Sequence, residues 1–200
     1  MFVISLIKNW KQTFAELLKI PNITIHNNGL IKEMKYKNEL DELHRDPYVG
    51  SAHIEYRETG QIYFKIYYIN NKKHRPTEEG SASTWYHDNG QIFFESYCIN
   101  DKLHRPTEEG PAIIHYYDEG KILCKQYSVN NNEHRPTKEG PAYIEYFKNG
   151  QICIETYYIN DEKHRPIKEG PAYIRYLMNG EIYYEEYWVN GKNKHYKFVK

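Results

Sequence analysis

The chain has 200 residues, with 27 Lys or Arg against 27 Asp or Glu, so its formal net charge is zero. This balance excludes an overall field that would draw the chain to nucleic acid or to an anionic membrane, and either partner would need a local patch. With 40% hydrophobic residues and 21 tyrosines, the composition excludes a disordered chain and suits half-exposed sheet surfaces.

The N-terminal segment, residues 1–20, is predicted to form an amphipathic capping helix that ends before Pro21. Its apolar side chains recur at the spacing of one helical stripe. They are Val3, Leu6, Ile7, Trp10, Phe14, Leu17 and Leu18. Such a helix would cover the open end of a repeat array. Binding to a membrane surface or to a partner helix is the alternative, although the polar face carries few lysines for lipid attraction.

A His-Arg pair recurs every 30 residues, and this fixed period indicates a repeat array of packed supersecondary units. The pairs begin at His44, His74, His104, His134 and His164. We predict an all-β fold, an elongated antiparallel array of about six β-hairpin repeats that forms one domain over residues 21–200. The repeats are predicted near 21–43, 44–73, 74–103, 104–133, 134–163 and 164–193. Residues 194–200 are predicted to be an edge cap whose lysines block pairing with another molecule.

Each unit is predicted to contain two strands joined at a glycine. The residue before this glycine is Asn in four units but Thr59 and Glu119 in two. A type I′ turn needs positive φ at both central residues, which Thr and Glu resist, so we predict a three-residue loop with only the glycine left-handed. This loop pairs a Tyr with an Ile in each unit. The resulting structural sets are Tyr56, Gly60, Ile62; Tyr86, Gly90, Ile92; Tyr116, Gly120, Ile122; Tyr146, Gly150, Ile152; and Tyr176, Gly180, Ile182.

The strand alternation predicts that Ala52, Ile54 and Tyr56 share one sheet face with Ile62 and Phe64. Two recurrent apolar positions further along the second strand, those of Tyr67 and Ile69, have the opposite parity. Either a bulge near Lys65 redirects the chain or both faces are partly covered, and we favour the bulge.

The loops that carry the His-Arg pairs are the candidate binding surface. The candidate residues are His74, Arg75, His104, Arg105, His134, Arg135, His164 and Arg165. A structural role is favoured over ligand binding, and catalysis comes last. In the structural role each Arg pairs with the Glu four residues later, and each His donates to a loop carbonyl. These pairs are Arg75–Glu79, Arg105–Glu109, Arg135–Glu139 and Arg165–Glu169.

No metal site, cofactor or catalytic residue is predicted. Equivalent histidines of a hairpin array lie about 10 Å apart, too far to converge on one ion. An active site needs unlike groups in one concavity, whereas this chain spreads the same groups evenly and has no phosphate loop or nucleophile elbow. The three cysteines, Cys98, Cys124 and Cys153, occupy different places in their repeats, which favours a reducing compartment.

The pattern Tyr-x-x-x-Gly-x-Ile, from Tyr56 to Ile62 and in the four following units, is succeeded by a second Tyr and an Asn. It resembles the MORN-type (membrane occupation and recognition nexus) hairpin repeats over residues 21–193. With its His-Arg…Gly-Pro-Ala loops it is most similar to the divergent variant of bacteria and large DNA viruses. The resemblance implies consecutive hairpins and a role in protein or membrane association, without catalytic residues.

We therefore predict a non-enzymatic repeat protein that acts as a protein–protein interaction or scaffold module. The predicted location is the cytoplasm, or the host cytoplasm if the protein is viral, as the Ile, Lys, Asn and Tyr content suggests. A peripheral membrane-associated module is the first alternative, and an enzyme on a glycan or phosphorylated substrate is the second. Nucleic acid is disfavoured because Glu78 and Glu79 offset Arg75. A homodimer that buries tyrosines is also considered.

Overall fold

The computed structural model describes residues 19–199, so the helix predicted for residues 1–20 lies outside the described residues except for Lys19 and Ile20, which are not helical. The regular secondary structure of the described chain is almost entirely β-strand, which confirms the all-β prediction. Thirteen strands form one antiparallel sheet, and the six hairpins follow one another across it in chain order. The predicted succession of hairpins is thus confirmed.

The residues that the structure describes form 21 strands and two short 3-10 helices, the helices at Thr77–Glu79 and Ile167–Glu169. In chain order the strands are β1 (Asn22–Ile25), β2 (Ile31–Lys35), β3 (His53–Tyr56), β4 (Ile62–Ile66), β5 (Tyr68–Ile69), β6 (Lys72–Lys73), β7 (Ser83–Tyr86), β8 (Ile92–Ser96), β9 (Cys98–Ile99), β10 (Lys102–Leu103), β11 (Ile113–Tyr116), β12 (Ile122–Gln126), β13 (Ser128–Val129), β14 (Asn132–Glu133), β15 (Tyr143–Tyr146), β16 (Ile152–Thr156), β17 (Tyr158–Ile159), β18 (Glu162–Lys163), β19 (Tyr173–Tyr176), β20 (Ile182–Val189) and β21 (Lys192–Phe198).

The predicted three-residue hairpin loop is confirmed in every full unit. In the hairpin of β3 and β4, the Arg57 N–H donates to the Gln61 carbonyl at 2.8 Å, and Gly60 donates back to Arg57 at 2.9 Å. Gly60 has φ +84°, the left-handed region that glycine adopts without steric cost. The predicted Tyr–Ile register is also observed. The pairs are Tyr56–Ile62, Tyr86–Ile92, Tyr116–Ile122, Tyr146–Ile152 and Tyr176–Ile182.

The bulge predicted near Lys65 lies instead at Tyr63, next to the turn. Tyr56 pairs with Ile62, whereas the residue before Tyr56 pairs with Phe64, so Tyr63 has no partner across the hairpin. A one-residue shift reverses the direction of every following side chain. Phe64 therefore lies on the opposite face from Ile62, and the prediction that placed the two together is wrong.

The polar loop predicted after each second strand contains a further tight turn that the sequence analysis missed. The chain leaves the main sheet at Tyr67, and Tyr68–Ile69 then pairs with Lys72–Lys73 as a two-residue ribbon. Asn70 and Asn71 have φ of 49° and 61°, and positive φ at both central residues defines a type I′ turn. Asn and Asp tolerate this conformation, which explains their recurrence. The equivalent turns lie at 100–101, 130–131, 160–161 and 190–191.

Consecutive units are joined by main-chain hydrogen bonds. The Tyr67 N–H donates to the Ala82 carbonyl at 2.8 Å, and the Arg75 N–H donates to the Cys98 carbonyl at 3.1 Å. Ala82 has no exposed surface, nor have the equivalent alanines of the other units. Main-chain hydrogen bonds at equivalent positions therefore join each unit to the next.

The two faces of the main sheet pack against different parts of the chain. One face packs against the His-Arg loops, and we call it the loop-covered face. Ser81 of such a loop contacts the Thr84 hydroxyl at 2.7 Å and the Glu95 carboxylate at 3.3 Å, both on this face. The other face, which carries Phe64 and Trp85, is called the variable face below.

The last hairpin remains in the main sheet, and Lys194 and His195 stand where the other units have the His-Arg pair. β20 runs for eight residues and pairs with β21, the last strand in the sheet order. Every residue of β21 is exposed. The edge strand lies where the cap is predicted, although it begins at Lys192 rather than at residue 194. Protection of the edge by its lysines stays a prediction.

Candidate functional site: the variable face of the sheet

The arginine of each His-Arg pair is used inside the fold. The Arg105 guanidinium lies 3.9 Å from the centre of the Tyr97 ring, and its Nη1 donates to the Pro111 carbonyl at 3.3 Å. Stacking of a guanidinium on an aromatic face is stabilising, more so when it is partly desolvated. Each unit has the same stack at 3.8 to 4.1 Å. The other pairs are Arg45–Tyr36, Arg75–Tyr67, Arg135–Tyr127 and Arg165–Tyr157.

The predicted Arg–Glu ion pairs are wrong. Within residues 19–199 no ion pair joins Arg75 to Glu79, because the guanidinium is turned toward Tyr67 and donates to the Ser81 carbonyl at 3.1 Å. Glu169 likewise accepts from the Thr137 hydroxyl of the preceding loop at 2.9 Å. The correction applies equally to Arg105–Glu109, Arg135–Glu139 and Arg165–Glu169.

The glycine at the end of each loop allows the arginine to approach the main chain. Gly80 has φ 117° and ψ −167°, a region that is essentially restricted to glycine. A Cβ at this position would lie 2.9 Å from the Arg75 Nη1. The glycine and the arginine recur in every unit because the close approach of the guanidinium to the main chain requires both.

His44, His74 and His164 reach the next unit rather than a carbonyl of their own loop, so that prediction is wrong. The buried Nδ1 atoms of His104 and His134 have no hydrogen-bond partner within residues 19–199. The His74 Nδ1 lies 3.0 Å from the Asn100 Oδ1, and the Asn190 N–H donates to the His164 Nδ1 at 3.1 Å. These contacts connect a His-Arg loop with the following type I′ turn. Ligand binding by His74, Arg75 and their equivalents stays a prediction.

The variable face differs from unit to unit, whereas the turn Tyr and Ile of the loop-covered face are constant. One row of directly paired residues crosses the whole sheet on the variable face. It contains Thr24, Glu33, Glu55, Phe64, Trp85, Phe94, His115, Cys124, Glu145, Ile154, Arg175, Tyr184 and Phe198. In repeat arrays the constant positions serve packing, and an extended surface of differing side chains is where such proteins bind.

Aromatic rings occupy the part of this row that lies on β4, β7 and β8. The Phe64 and Trp85 ring centres are 4.5 Å apart, and Trp85 is paired directly with Phe94. His53 and His115 border the aromatic rings, with centres 4.8 Å from Phe64 and from Phe94 respectively. Aromatic residues are enriched where proteins bind other proteins.

A groove of about 510 Å³ lies beside these rings. Ser83 and Ser96 form its buried floor, and their small side chains leave the space that larger residues fill in other units. Its remaining lining is Lys73, Trp85, Phe93, Phe94, Cys98, Asp101, Leu103 and Ile113. An apolar concavity with a few polar groups at its border is the form of most binding pockets.

A cluster of Glu33, His53 and Glu55 lies at the N-terminal end of the same face, with ligand atoms within 4.8 Å of one another. His53 contacts Glu33 at 2.7 Å and Lys35 contacts it at 2.6 Å. Burial would raise the pKa of Glu33, but bonds and charges from Lys35 and His53 outweigh burial and lower it. Lys35 already supplies the cationic partner of this carboxylate, and no metal is assigned.

Tyrosine hydroxyls on the loop-covered face donate to carboxylates of the preceding strand. Tyr116 donates to Glu95 at 2.7 Å, and Tyr176 donates to Glu155 at 2.8 Å. Burial, followed by the hydrogen bond to the carboxylate, raises the pKa of each phenol well above its ordinary value. Both hydroxyls are therefore held in the neutral, donating form.

We expect the folded protein to lose stability at alkaline pH. In the unfolded chain the phenols ionise near pH 10, whereas in the fold Tyr116 and Tyr176 keep their protons, so the unfolded state binds fewer protons and the free energy of unfolding falls above about pH 10. Urea unfolding between pH 8 and pH 11, followed by circular dichroism, measures this slope. The double variant Tyr116→Phe/Tyr176→Phe should show a shallower fall, and an unchanged slope would contradict the assignment.

The fold thus defines the chain as an all-β hairpin-repeat protein with a constant and a variable face. Comparison with protein-family models, with curated proteins and with solved structures finds no match. The resemblance to MORN-type repeats stays a prediction. Residues 19–199 contain no helix of the length and apolarity needed to cross a bilayer.

Sequence reasoning missed the residues of the groove because they are not repeated. The residues equivalent to Glu55 in the following units are Trp85, His115, Glu145 and Arg175. Such variation at one repeat position is itself a signal of a surface that is not required for packing. A comparison of the repeats position by position separates constant packing residues from variable surface residues. Only the register of the structure shows that the variable positions share one face.

Proposed function

We propose that the protein is a non-enzymatic interaction module that binds a protein partner on the variable face, with the groove at Ser83 and Ser96 as the main anchor site. The observation that carries the proposal is the separation of the two faces. The loop-covered face holds the constant residues, whereas the variable face carries the partly buried Trp85 and Phe94 beside a groove. This division favours a scaffold that presents one specific surface.

The groove suits one bulky apolar side chain of a partner. Its walls are apolar at Trp85, Phe94 and Leu103, and Lys73 and Asp101 provide polar groups beside them. A buried apolar anchor surrounded by polar contacts is the usual arrangement of an interface hot spot. The surrounding aromatic rings extend the contact surface across neighbouring strands.

The same proposal places the module in the cytoplasm. Cys98 and Cys124 are buried free thiols, and burial raises the pKa of both. Neutral, enclosed thiols suit a reducing compartment, where cysteine packs as a small apolar side chain.

The proposal is tested by exchanging residues between repeats. Trp85→Glu and Leu103→Lys introduce the residues that equivalent positions already hold at Glu145 and Lys163, so the fold should be retained. Both substitutions remove apolar walls of the groove. We expect the double variant to lose, by at least about tenfold, the capture of a specific protein that the wild type retains from native lysate.

Arg175→Ala is the matched control because Arg175 is exposed on the same row, outside the groove. It should retain the partner with wild-type recovery, measured by quantitative mass spectrometry of the captured proteins. Equal recovery by the double variant would show that the groove is not the anchor site. Recovery of no protein above a tag-only control would refute the proposed function.

A further inference from the structure

Within residues 19–199, no strand pairs with the outer edge of β21, the last strand of the sheet. The Val199 N–H donates to the Tyr183 carbonyl at 3.0 Å, and β21 pairs with β20 in the register Phe198–Tyr184 and Tyr196–Glu186. Antiparallel pairs alternate between hydrogen-bonded and non-hydrogen-bonded, so Tyr196 and Phe198 belong to the second kind. Their main-chain N–H and C=O groups therefore point away from β20.

This geometry is supported from the other side of β20. The Ala172 N–H donates to the Glu186 carbonyl at 2.9 Å, so the main-chain groups of Glu186 point toward the preceding strand. Its partner Tyr196 must then direct its own groups outward. Within residues 19–199 no donor or acceptor reaches these groups of Tyr196 and Phe198.

The side chains of β21 divide into an aromatic side and a cationic side. Phe198 and Tyr196 lie on the variable face, with ring centres 4.9 Å and 6.4 Å from Tyr184. Lys197 lies on the other face, where it contacts the nearly buried Glu185 at 2.8 Å. Lys192, which pairs with Val189, lies on the same face as Lys197 and is exposed, so a strand added to this edge would meet rings on one side and the positive charge of Lys192 on the other.

The charge of β21 is positive although the whole chain is neutral. Residues 190–199 contain three lysines and no acidic residue. Lys192 and Lys194 are exposed and have no ion-pair partner in the described part of the chain. Pairing of two β21 strands would bring these lysines together, which disfavours a second copy as the occupant.

We propose that β21 binds an extended acidic segment of a partner protein, which adds to the sheet as a further strand. Main-chain bonds to Tyr196 and Phe198 supply affinity, and side-chain alternation supplies specificity. The recognised segment alternates apolar residues, which contact Tyr196 and Phe198, with Asp or Glu, which interact with the exposed, unpaired Lys192 and Lys194. This edge is separate from the groove at Ser83 and Ser96, so the inference stands independently of the proposed function.

Binding is tested with the full chain and a fluorescent peptide of eight residues that alternates Val and Glu. Fluorescence anisotropy should show at least about tenfold tighter binding than for a peptide of the same composition with its glutamates clustered. Tyr196→Pro removes an outward N–H and leaves the bonds to β20, so it should weaken binding about tenfold relative to Tyr196→Ala, which removes the same ring but keeps the N–H.

Two further measurements make the outcome decisive. Lys194→Glu should weaken binding of the alternating peptide and leave the unfolding midpoint unchanged, because Lys194 is exposed and unpaired. Equal binding of the clustered peptide, or of anionic phosphatidylserine vesicles, would overturn the proposal in favour of simple attraction to polyanions. Absence of peptide binding to the wild type, together with self-association of a Lys192→Glu/Lys194→Glu variant, would show that the lysines only protect the edge.

Discussion

Gly80→Ala should destabilise the protein by about 2–4 kcal/mol, although it adds a single methyl group. The backbone at φ 117° and ψ −167° strains any residue other than glycine, at a cost of about 1–3 kcal/mol. The new Cβ also displaces the Arg75 Nη1, which would otherwise lie 2.9 Å away. Because the Arg75 guanidinium is held on Tyr67, its displacement gives up the stack and the bond to Ser81.

Urea unfolding followed by circular dichroism measures this loss, with Gly90→Ala as the matched control. Gly90 also has positive φ, at +83°, but nothing lies within 4 Å of a Cβ placed there, so its substitution should cost about 1–2 kcal/mol. Combining Gly80→Ala with Arg75→Ala should reduce the cost of the glycine change by about 1 kcal/mol. Strict additivity of the two changes would show that the arginine does not depend on the glycine.

Arg105→Lys should cost about 2–3 kcal/mol even though the charge is kept. Lysine lacks the planar guanidinium that stacks on Tyr97 at 3.9 Å and donates to the Pro111 carbonyl. The stack contributes about 0.5–2 kcal/mol, and a hydrogen bond from a charged donor contributes about 1.5–3 kcal/mol. The same urea titration measures the change.

Glu109→Gln separates this stacking account from the ion pair that the sequence predicted. Glu109 is exposed, and its substitution should change stability by less than about 0.5 kcal/mol. If Glu109→Gln costs as much as Arg105→Lys, the ion pair rather than the ring stack stabilises the loop.

The period, the six hairpins and the three-residue turn were predictable because each depends on local chemistry that recurs. Thr59 and Glu119 before the turn glycine excluded the type I′ alternative, and the Tyr56–Ile62 register followed directly. The second turn was missed for the opposite reason. The turn at Asn70 and Asn71 contains no glycine, the residue that usually marks a turn with two positive φ angles. Asparagine nevertheless adopts positive φ at both of its positions.

The Arg–Tyr stacks and the two-faced sheet were not predictable from local spacing. Arg75 has a glutamate four residues later, whereas its true partner Tyr67 lies on the other side of the intervening ribbon. The equivalent bulge at Phe93 reverses the face of Phe94 and so decides which side chains line the groove. A residue pattern of period two carries no information about such a shift until the pairing is known.

Consecutive units meet through the same bonds each time, such as Tyr67 to Ala82 and Arg75 to Cys98. Because these are main-chain bonds between equivalent positions, the same connection is available at every junction between units. Duplication or deletion of whole units would therefore lengthen or shorten the protein without creating a new kind of junction. Each added unit would bring two more strands whose variable side chains are free to change, so the recognition surface can evolve while the scaffold stays constant.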